Sequence, residues 1–370
     1  MLNEDLCRRN IHSMALKAAN NNVLFRPHFK THQSAEIAGW FRDEGVTAIT
    51  VSSVSMASYF ARHGWKDITI AFPVNILENN EINQLAAIVN LNLLIESVKT
   101  ATFLSEKLTV ACGFFIKIDT GYHRAGIDPF NISLIEQVLF AAKSPCLQFR
   151  GFLTHSGQVY HARGLKELKH IHQQATESLL VLKKEFRCQF PDLIVSTGDT
   201  PTCSQINSFE GIDEIRPGNF VFYDVMQFTL GSCALQEIAV AVVCPVVAVY
   251  TERKQVVIYG GAVHFSKEHI LLAEDANPSF GIAVGWDGSN WKITDKLGVI
   301  LSFSQEHGVV SLTQAGCELK PGDLIAILPV HACLTAHLMR EYTKLQGRII
   351  ATMSSEGNIY KSQASFHQDY

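Results

Sequence analysis

The strongest constraint on this 370-residue chain is an alternation that fills roughly its first 220 residues. Short apolar runs take turns with helically spaced segments. The runs are Val23–His28, Ala48–Val51, Asp67–Phe72, Asn92–Ile95, Phe114–Asp119, Leu147–Thr154, Asp192–Ser196 and Glu214–Arg216. Helical spacing occupies Ala35–Glu44, Val54–Arg62, Glu78–Val89, Ser97–Leu108, Ile132–Ala142, Leu165–Phe186 and a short piece after Pro201. An opening helix is predicted over Glu4–Asn20, where Leu6, Ile11, Met14, Ala15 and Ala18 make an apolar stripe. Continuous apolar runs imply strands buried on both faces, hence a parallel sheet. Eight such strands predict a (β/α)8 TIM-type barrel. An open doubly wound sheet is the alternative, because the pattern does not encode closure.

After about Gly231 the pattern changes. Glu237–Tyr250, Gln255–Gly260, Val299–Phe303, Val309–Leu312, Asp323–Leu328 and Arg348–Met353 are rich in Val and Ile. Turn-forming pieces such as Thr251–Lys254, Asp287–Asn290 and Lys320–Asp323 separate them. This predicts a C-terminal antiparallel β domain with one helix near Ala336–Lys344, and a division into 1–234 and 235–370. A net charge of −4 and a pI near 6.4 give no general attraction to nucleic acid or anionic membrane. No apolar run reaches the ~20 residues of a membrane span. Met1–Arg9 is too polar for a secretory signal. Nine cysteines without a C-x-x-C pair suit free thiols in a reducing compartment, so the expected location is cytoplasmic.

In a barrel, chemistry gathers beyond the carboxyl ends of the strands. Lys30 follows the first run, as either a lysine snorkelling to solvent or an amine nucleophile able to form a Schiff base. Arg124 follows the fifth and pairs with either a ligand oxygen or a surface carboxylate. His155 and Tyr160 follow the sixth, as core and loop residues or as walls of a site. After the seventh, Thr197 and Gly198 precede a helix start at Pro201, and Gly218 and Asn219 follow the eighth. Those two loops are the usual phosphate site of such barrels, though caps and turns use the same residues. Arg216 suits a structural salt bridge or a ligand contact. Far down the chain, His331 and Cys333 stand two residues apart after an apolar run. They are zinc-type ligands, or a loop histidine beside a buried cysteine. Ser304–Gly308 is another polar cluster, lining that site or making a turn.

Several of these segments together resemble a known family. Arg26-Pro27-His28-Phe29-Lys30-Thr31-His32 is similar to the signature of the D-threonine aldolase and eukaryotic-type D-serine dehydratase family. These are fold-type III pyridoxal phosphate enzymes related to alanine racemase. The similarity continues in order through Asp119–Gly126, Gly151–His155, Ser196–Thr202, Glu214–Asn219 and Pro329–Cys333. The position after His32 departs, with Gln33 where a lysine commonly stands. The resemblance implies an alanine-racemase-like barrel and β domain, with Lys30 carrying pyridoxal 5'-phosphate. Arg124 would contact the cofactor's phenolic oxygen, and Arg216 would lie near its ring nitrogen. Thr197, Gly198, Gly218 and Asn219 would hold the phosphate, with Tyr160 and His155 beside the cofactor. His331 and Cys333 would bind a divalent metal, zinc by the family resemblance. Family aldolases often carry aspartate at the second ligand position, so Cys333 points to elimination of water from D-serine, giving pyruvate and ammonia. The alternatives are retro-aldol cleavage of D-threonine or 3-hydroxyaspartate, racemisation, and a non-catalytic cofactor carrier. A homodimer acting on a small D-amino acid is also implied.

Overall fold

Where the eight apolar runs stand, the chain forms β1 (Leu24–Phe25), β2 (Ala48–Val51), β3 (Asp67–Pro73), β4 (Asn90–Ile95), β5 (Cys112–Lys117), β6 (Leu147–Leu153), β7 (Ile194–Thr197) and β8 (Glu214–Ile215). The computed structural model describes residues 1–271, 278–313 and 318–355. The eight strands pair in parallel in the order β1-β8-β7-β6-β5-β4-β3-β2. A further parallel bridge, His28 to Thr50, joins the two ends. There Thr50 N donates to Pro27 O and Phe29 N to Thr50 O, both at 2.9 Å. The sheet therefore curls into the expected barrel.

Helix starts follow local capping chemistry. Ser53, Ser97, Asn131 and Asp199 each accept a backbone N–H of the first turn with their side chains. Such caps contribute about 1 kcal/mol each. Helices Val54–Arg62 and Leu165–Phe186 have the predicted bounds. The segment predicted as Glu78–Val89 instead divides into a 3-10 turn, Ile76–Glu78, and a helix, Asn79–Ala86. Asn75 draws the chain into that turn by accepting Leu77 N. Under β1, Phe29 is fully buried and meets the rings of Phe41, Phe60 and Trp65 at 4.9, 5.0 and 5.1 Å. An aromatic side chain buried this way contributes on the order of 3–5 kcal/mol, and it fixes the backbone that carries Lys30.

Two compact units result: His12–Lys30 with Ala38–Gly218, and Met1–Ile11 with Thr31–Ile37 and Asn219–Tyr370. The second contains a closed antiparallel barrel. Its strands run around in the order Gln255–Tyr259, His307–Leu312, Trp291–Phe303, Gly281–Trp286, Leu324–Pro329 and Val242–Tyr250. Closure removes exposed strand edges. Alternate residues fill its interior, as Val242, Cys244 and Val246 on one strand and Ile325 and Ile327 on its neighbour. The strand Gly281–Trp286 was not anticipated, because its first five residues are all buried and two of its residues are glycines. The predicted helix Ala336–Lys344 is displaced: it spans Ala332–Met339. Arg340, in the left-handed region at φ +63, ends it, and Glu341–Thr343 pairs with Ile349–Ala351 as a separate ribbon. The expected turn Lys320–Asp323 is present, with Lys320 N donating to Asp323 Oδ2.

Candidate functional site

The loop after β5 is folded by one carboxylate. Asp119 Oδ1 accepts the backbone N–H groups of Gly121, Tyr122 and His123, each at 3.0 Å. Partial burial raises the Asp119 pKa, but these donors outweigh it and hold the carboxyl below its ordinary value. The loop so formed presents Tyr122, with the Arg124 guanidinium 5.0 Å from the ring centroid. Gly157 allows the close approach of that tyrosine, since a Cβ there would meet the ring at 2.4 Å.

His155, at the end of β6, stands between Tyr122 and Tyr160, with ring centroids 6.1 and 6.4 Å away. A carbonyl can only accept, so His155 Nδ1 carries the proton it donates to Gly198 O at 3.0 Å. Desolvation lowers the imidazole pKa to about 3, with Lys30, Lys117 and Arg124 adding repulsion. His155 is therefore neutral at physiological pH. The unfolded state gains a proton below its ordinary value of about 6.5 while the folded state does not, so this group's contribution is lost as pH falls from there toward 3. His155→Asn is expected to make the acid-side fall of stability shallower by up to about 1.4 kcal/mol per pH unit, read from urea unfolding at successive pH values.

At the ends of β7 and β8 the backbones nearly touch. Gly198 has φ +151, and a Cβ there would lie 2.5 Å from Arg216 N. Arg216 N also donates to Thr197 O at 2.9 Å. Asp199 caps the short helix Thr200–Gln205 by accepting Thr202 N at 2.7 Å. Arg216 itself is buried.

Lys30 is exposed. Lys117, which ends β5, is buried. Burial, then Arg216 and Arg124, push its pKa down to about 7. Sequence reasoning missed Lys117 because it lies within an apolar run. The available signal was a lysine closing a strand that is otherwise wholly apolar. Lys30, Lys117, Arg124 and Arg216 thus crowd positive charge around His155 and Lys117. That donor set fits an anionic ligand bearing phosphate, such as pyridoxal phosphate.

The second unit gathers Asn219, His331 and Cys333. His331 caps the helix that begins at Ala332, placing Cys333 in its first turn. Cys333 Sγ lies 3.3 Å from Thr31 Oγ1 and accepts from Asn219 Nδ2 at 3.5 Å. Thr31 directly follows Lys30 in the chain. Asn219 Nδ2 also donates to Asp224 Oδ2 at 2.6 Å, and the same oxygen accepts Ala332 N at 2.9 Å. The Asn219 amide nitrogen is thus committed beside the thiol, leaving its backbone N–H as the donor to offer a phosphate. Burial lowers the His331 pKa, but the hydrogen bond and charge of Cys333 outweigh it, and the imidazole rises to about 9. Burial likewise raises the Cys333 pKa, yet His331 brings it below the ordinary thiol value. His331 Nδ1 is buried and without a hydrogen-bond partner among the described residues. An imidazole hydrogen-bonded to a thiol of lowered pKa is a pair of donors that fits a soft divalent metal. Among the described residues no group of three or more His, Cys, Asp and Glu stands in metal-binding arrangement. The pair alone would leave coordination positions for water or substrate.

Two family models match this chain. The alanine racemase N-terminal domain model matches residues 2–225, and a serine dehydratase domain model matches 239–345. The D-serine dehydratase of Dictyostelium discoideum is 30% identical, over 92% of this chain and 90% of its own. The D-threo-3-hydroxyaspartate dehydratase of Delftia sp. strain HT23 is 25% identical over 92% of each. Its solved structure superposes with a TM-score of 0.86 at 24% identity, covering 95% of each chain. A cysteine-to-alanine variant of that enzyme has been solved in a metal-free form. The D-threonine aldolase of Filomicrobium marinum superposes with a TM-score of 0.81 at 21% identity, covering 97% of this chain and 95% of its own. With an alanine-racemase-like barrel followed by a dehydratase domain, and a full-length D-serine dehydratase among its relatives, the chain belongs to the D-serine dehydratase family of alanine-racemase-like enzymes.

Proposed function

We propose that the protein is a pyridoxal phosphate-dependent, metal-assisted lyase of D-3-hydroxy amino acids, with D-serine-type elimination to a keto acid and ammonia as its main reaction. The observation that carries this reading is the His331–Cys333 pair, an imidazole hydrogen-bonded to a thiol of lowered pKa. A racemase or a cofactor carrier has no use for such a pair.

Segment 1–234 is assigned to the cofactor and 235–370 to the metal. Lys30 would anchor pyridoxal phosphate, Arg124 its phenolic oxygen and Arg216 its ring nitrogen. Thr197, Gly198, Gly218 and the backbone of Asn219 would hold its phosphate, with Tyr160 and neutral His155 as walls. Bound there, the cofactor supplies an electron sink that makes the substrate's Cα–H acidic. The metal on His331 and Cys333, zinc by its ligands, supplies a Lewis acid for the 3-hydroxyl. The Lys30 amine, once displaced by substrate, is placed in this reading to take the Cα proton. Neutral His155 adds no positive charge there and leaves its Nε2 as an acceptor. The working form in this reading is a cytoplasmic homodimer.

The test is a panel of D-serine, D-threonine and D-3-hydroxyaspartate, scoring keto acid, ammonia, glycine and aldehyde. Keto acid and ammonia from D-serine are the expected products. Glycine and an aldehyde as main products would reassign the chain to the aldolase branch.

A further inference from the structure

The polar groups inside the parallel barrel form one connected chain, of which the proposed function uses only the last member. Asp67, at the start of β3, accepts Arg26 Nη1 on Oδ1 at 2.5 Å. Arg26 is buried and donates Nε to Glu214 Oε2 at 2.5 Å. Glu214, in β8, is wholly buried; its other oxygen accepts the Ser196 hydroxyl. Ser196 Oγ in turn accepts Arg216 Nη1. Arg216 Nη2 donates to Thr154 O at 2.5 Å. Two guanidiniums and two carboxylates are thus joined through one hydroxyl. Asp67 opens β3 and Arg216 follows β8, so the chain of contacts runs from one end of the parallel barrel toward the other.

Stability alone is a poor reason for this arrangement. Burying ion pairs costs desolvation that their attraction often fails to recover, and apolar packing would serve as well. What the arrangement does supply is orientation. The single Ser196 proton goes to Glu214, so the hydroxyl oxygen is left to accept from Arg216. With Nη1 tied to Ser196 and Nη2 to Thr154, the guanidinium is held against the barrel wall by two bonds in its own plane. Removing Glu214 would free the Ser196 proton and leave Arg216 without its nearest countercharge.

We infer that Glu214 is a positioning residue for Arg216, acting through Ser196, and that Arg26 and Asp67 hold Glu214 in place, so that the four charges together set the electrostatic field at the ring of the bound cofactor. This rests on the assignment of pyridoxal phosphate to the barrel with Arg216 beside its ring. Loss of the Glu214 charge leaves a more positive surrounding, which disfavours protonated forms of the cofactor and moves their deprotonation to lower pH.

The experiment is a pH titration of the near-ultraviolet and visible spectrum of the reconstituted holoenzyme. Wild type is compared with Glu214→Gln, Ser196→Ala, Asp67→Asn and Glu214→Asp, with thermal unfolding of each. Glu214→Gln is expected to lower the spectral midpoint by about one pH unit, and Ser196→Ala to lower it by less. Asp67→Asn should give the smallest shift, and Glu214→Asp should restore most of the wild-type profile. Ser196→Ala keeps all four charges and serves if Glu214→Gln does not fold. An unmoved spectral profile in the folded variants, whatever their melting temperatures, overturns the positioning role while leaving the cofactor assignment intact. A wild-type protein that acquires no lysine-linked spectrum sinks both.

Discussion

Lys30→Ala is expected to abolish turnover and remove the lysine-linked absorption band of bound pyridoxal phosphate, while leaving the protein folded. The physical case rests on how the two ends of this residue are treated. Its backbone lies between Phe29, fully buried among three aromatic rings, and Thr31, which is 1% exposed. The Lys30 side chain itself is exposed. Truncating a side chain at an exposed position typically changes stability by no more than about 0.5 kcal/mol. The chemistry lost is much larger, since anchoring nucleophile and proton acceptor go together, and a fall on the order of 10⁴-fold or more is expected. Spectra, turnover of D-serine and a thermal melt on the same sample separate these effects. Borohydride reduction of the wild-type holoenzyme followed by peptide mapping gives the decisive reading. Label on Lys30 is the expected result. Label on Lys117, the buried amine with a pKa pushed down to about 7, would move the anchor there.

The barrel was legible because its determinants are local. Each strand of β2 to β7 is a short apolar run, and helix starts at Ser53, Ser97 and Asn131 are written in the capping residue. The loop Asp119–Arg124 was legible for the same reason, since one carboxylate organises the following turn. What could not be read depends on partners far away in the chain. Glu214 and Ser196 look like ordinary strand residues until Arg26, 188 residues from Glu214, is placed against the carboxylate. Asn219 reads as a turn residue beside Gly218, yet its side-chain amide donates to Cys333, 114 residues on. Closure of the antiparallel barrel is likewise a matter of register between distant strands. The shifted helix at Ala332 shows the opposite limit. His331 starts it without a side-chain cap hydrogen bond, so the usual sequence mark of a helix start is missing.

Removing the metal, or the ligand pair itself, is expected to stop elimination while sparing cofactor binding. Hydroxide is a poor leaving group, and the proposed role of the metal is to polarise the substrate's 3-hydroxyl as it departs. His331→Ala and Cys333→Ala should each lower kcat/KM for D-serine by about 10²-fold or more, with bound metal falling in parallel. The Lys30-linked spectrum should persist in both variants, because the residues assigned to the ring lie elsewhere in the chain and Asn219, the phosphate residue that meets Cys333, keeps its bond to Asp224. Cys333→Ala also leaves Thr31 Oγ1 and Asn219 Nδ2 without their sulfur partner, so Cys333→Ser is the better-matched comparison: it keeps a hydrogen-bonding atom but replaces a soft ligand by a poor one. Metal content by elemental analysis, the cofactor spectrum and keto acid formation, each before and after chelation, give three independent readings. Turnover that is undiminished after verified metal loss would falsify the assignment of His331 and Cys333 to the reaction. Keto acid formation lost together with the metal, and regained when zinc is restored to the wild-type protein but not to the variants, is the expected result. Glycine appearing in place of keto acid under any of these conditions would show that the same pair can direct cleavage of the Cα–Cβ bond.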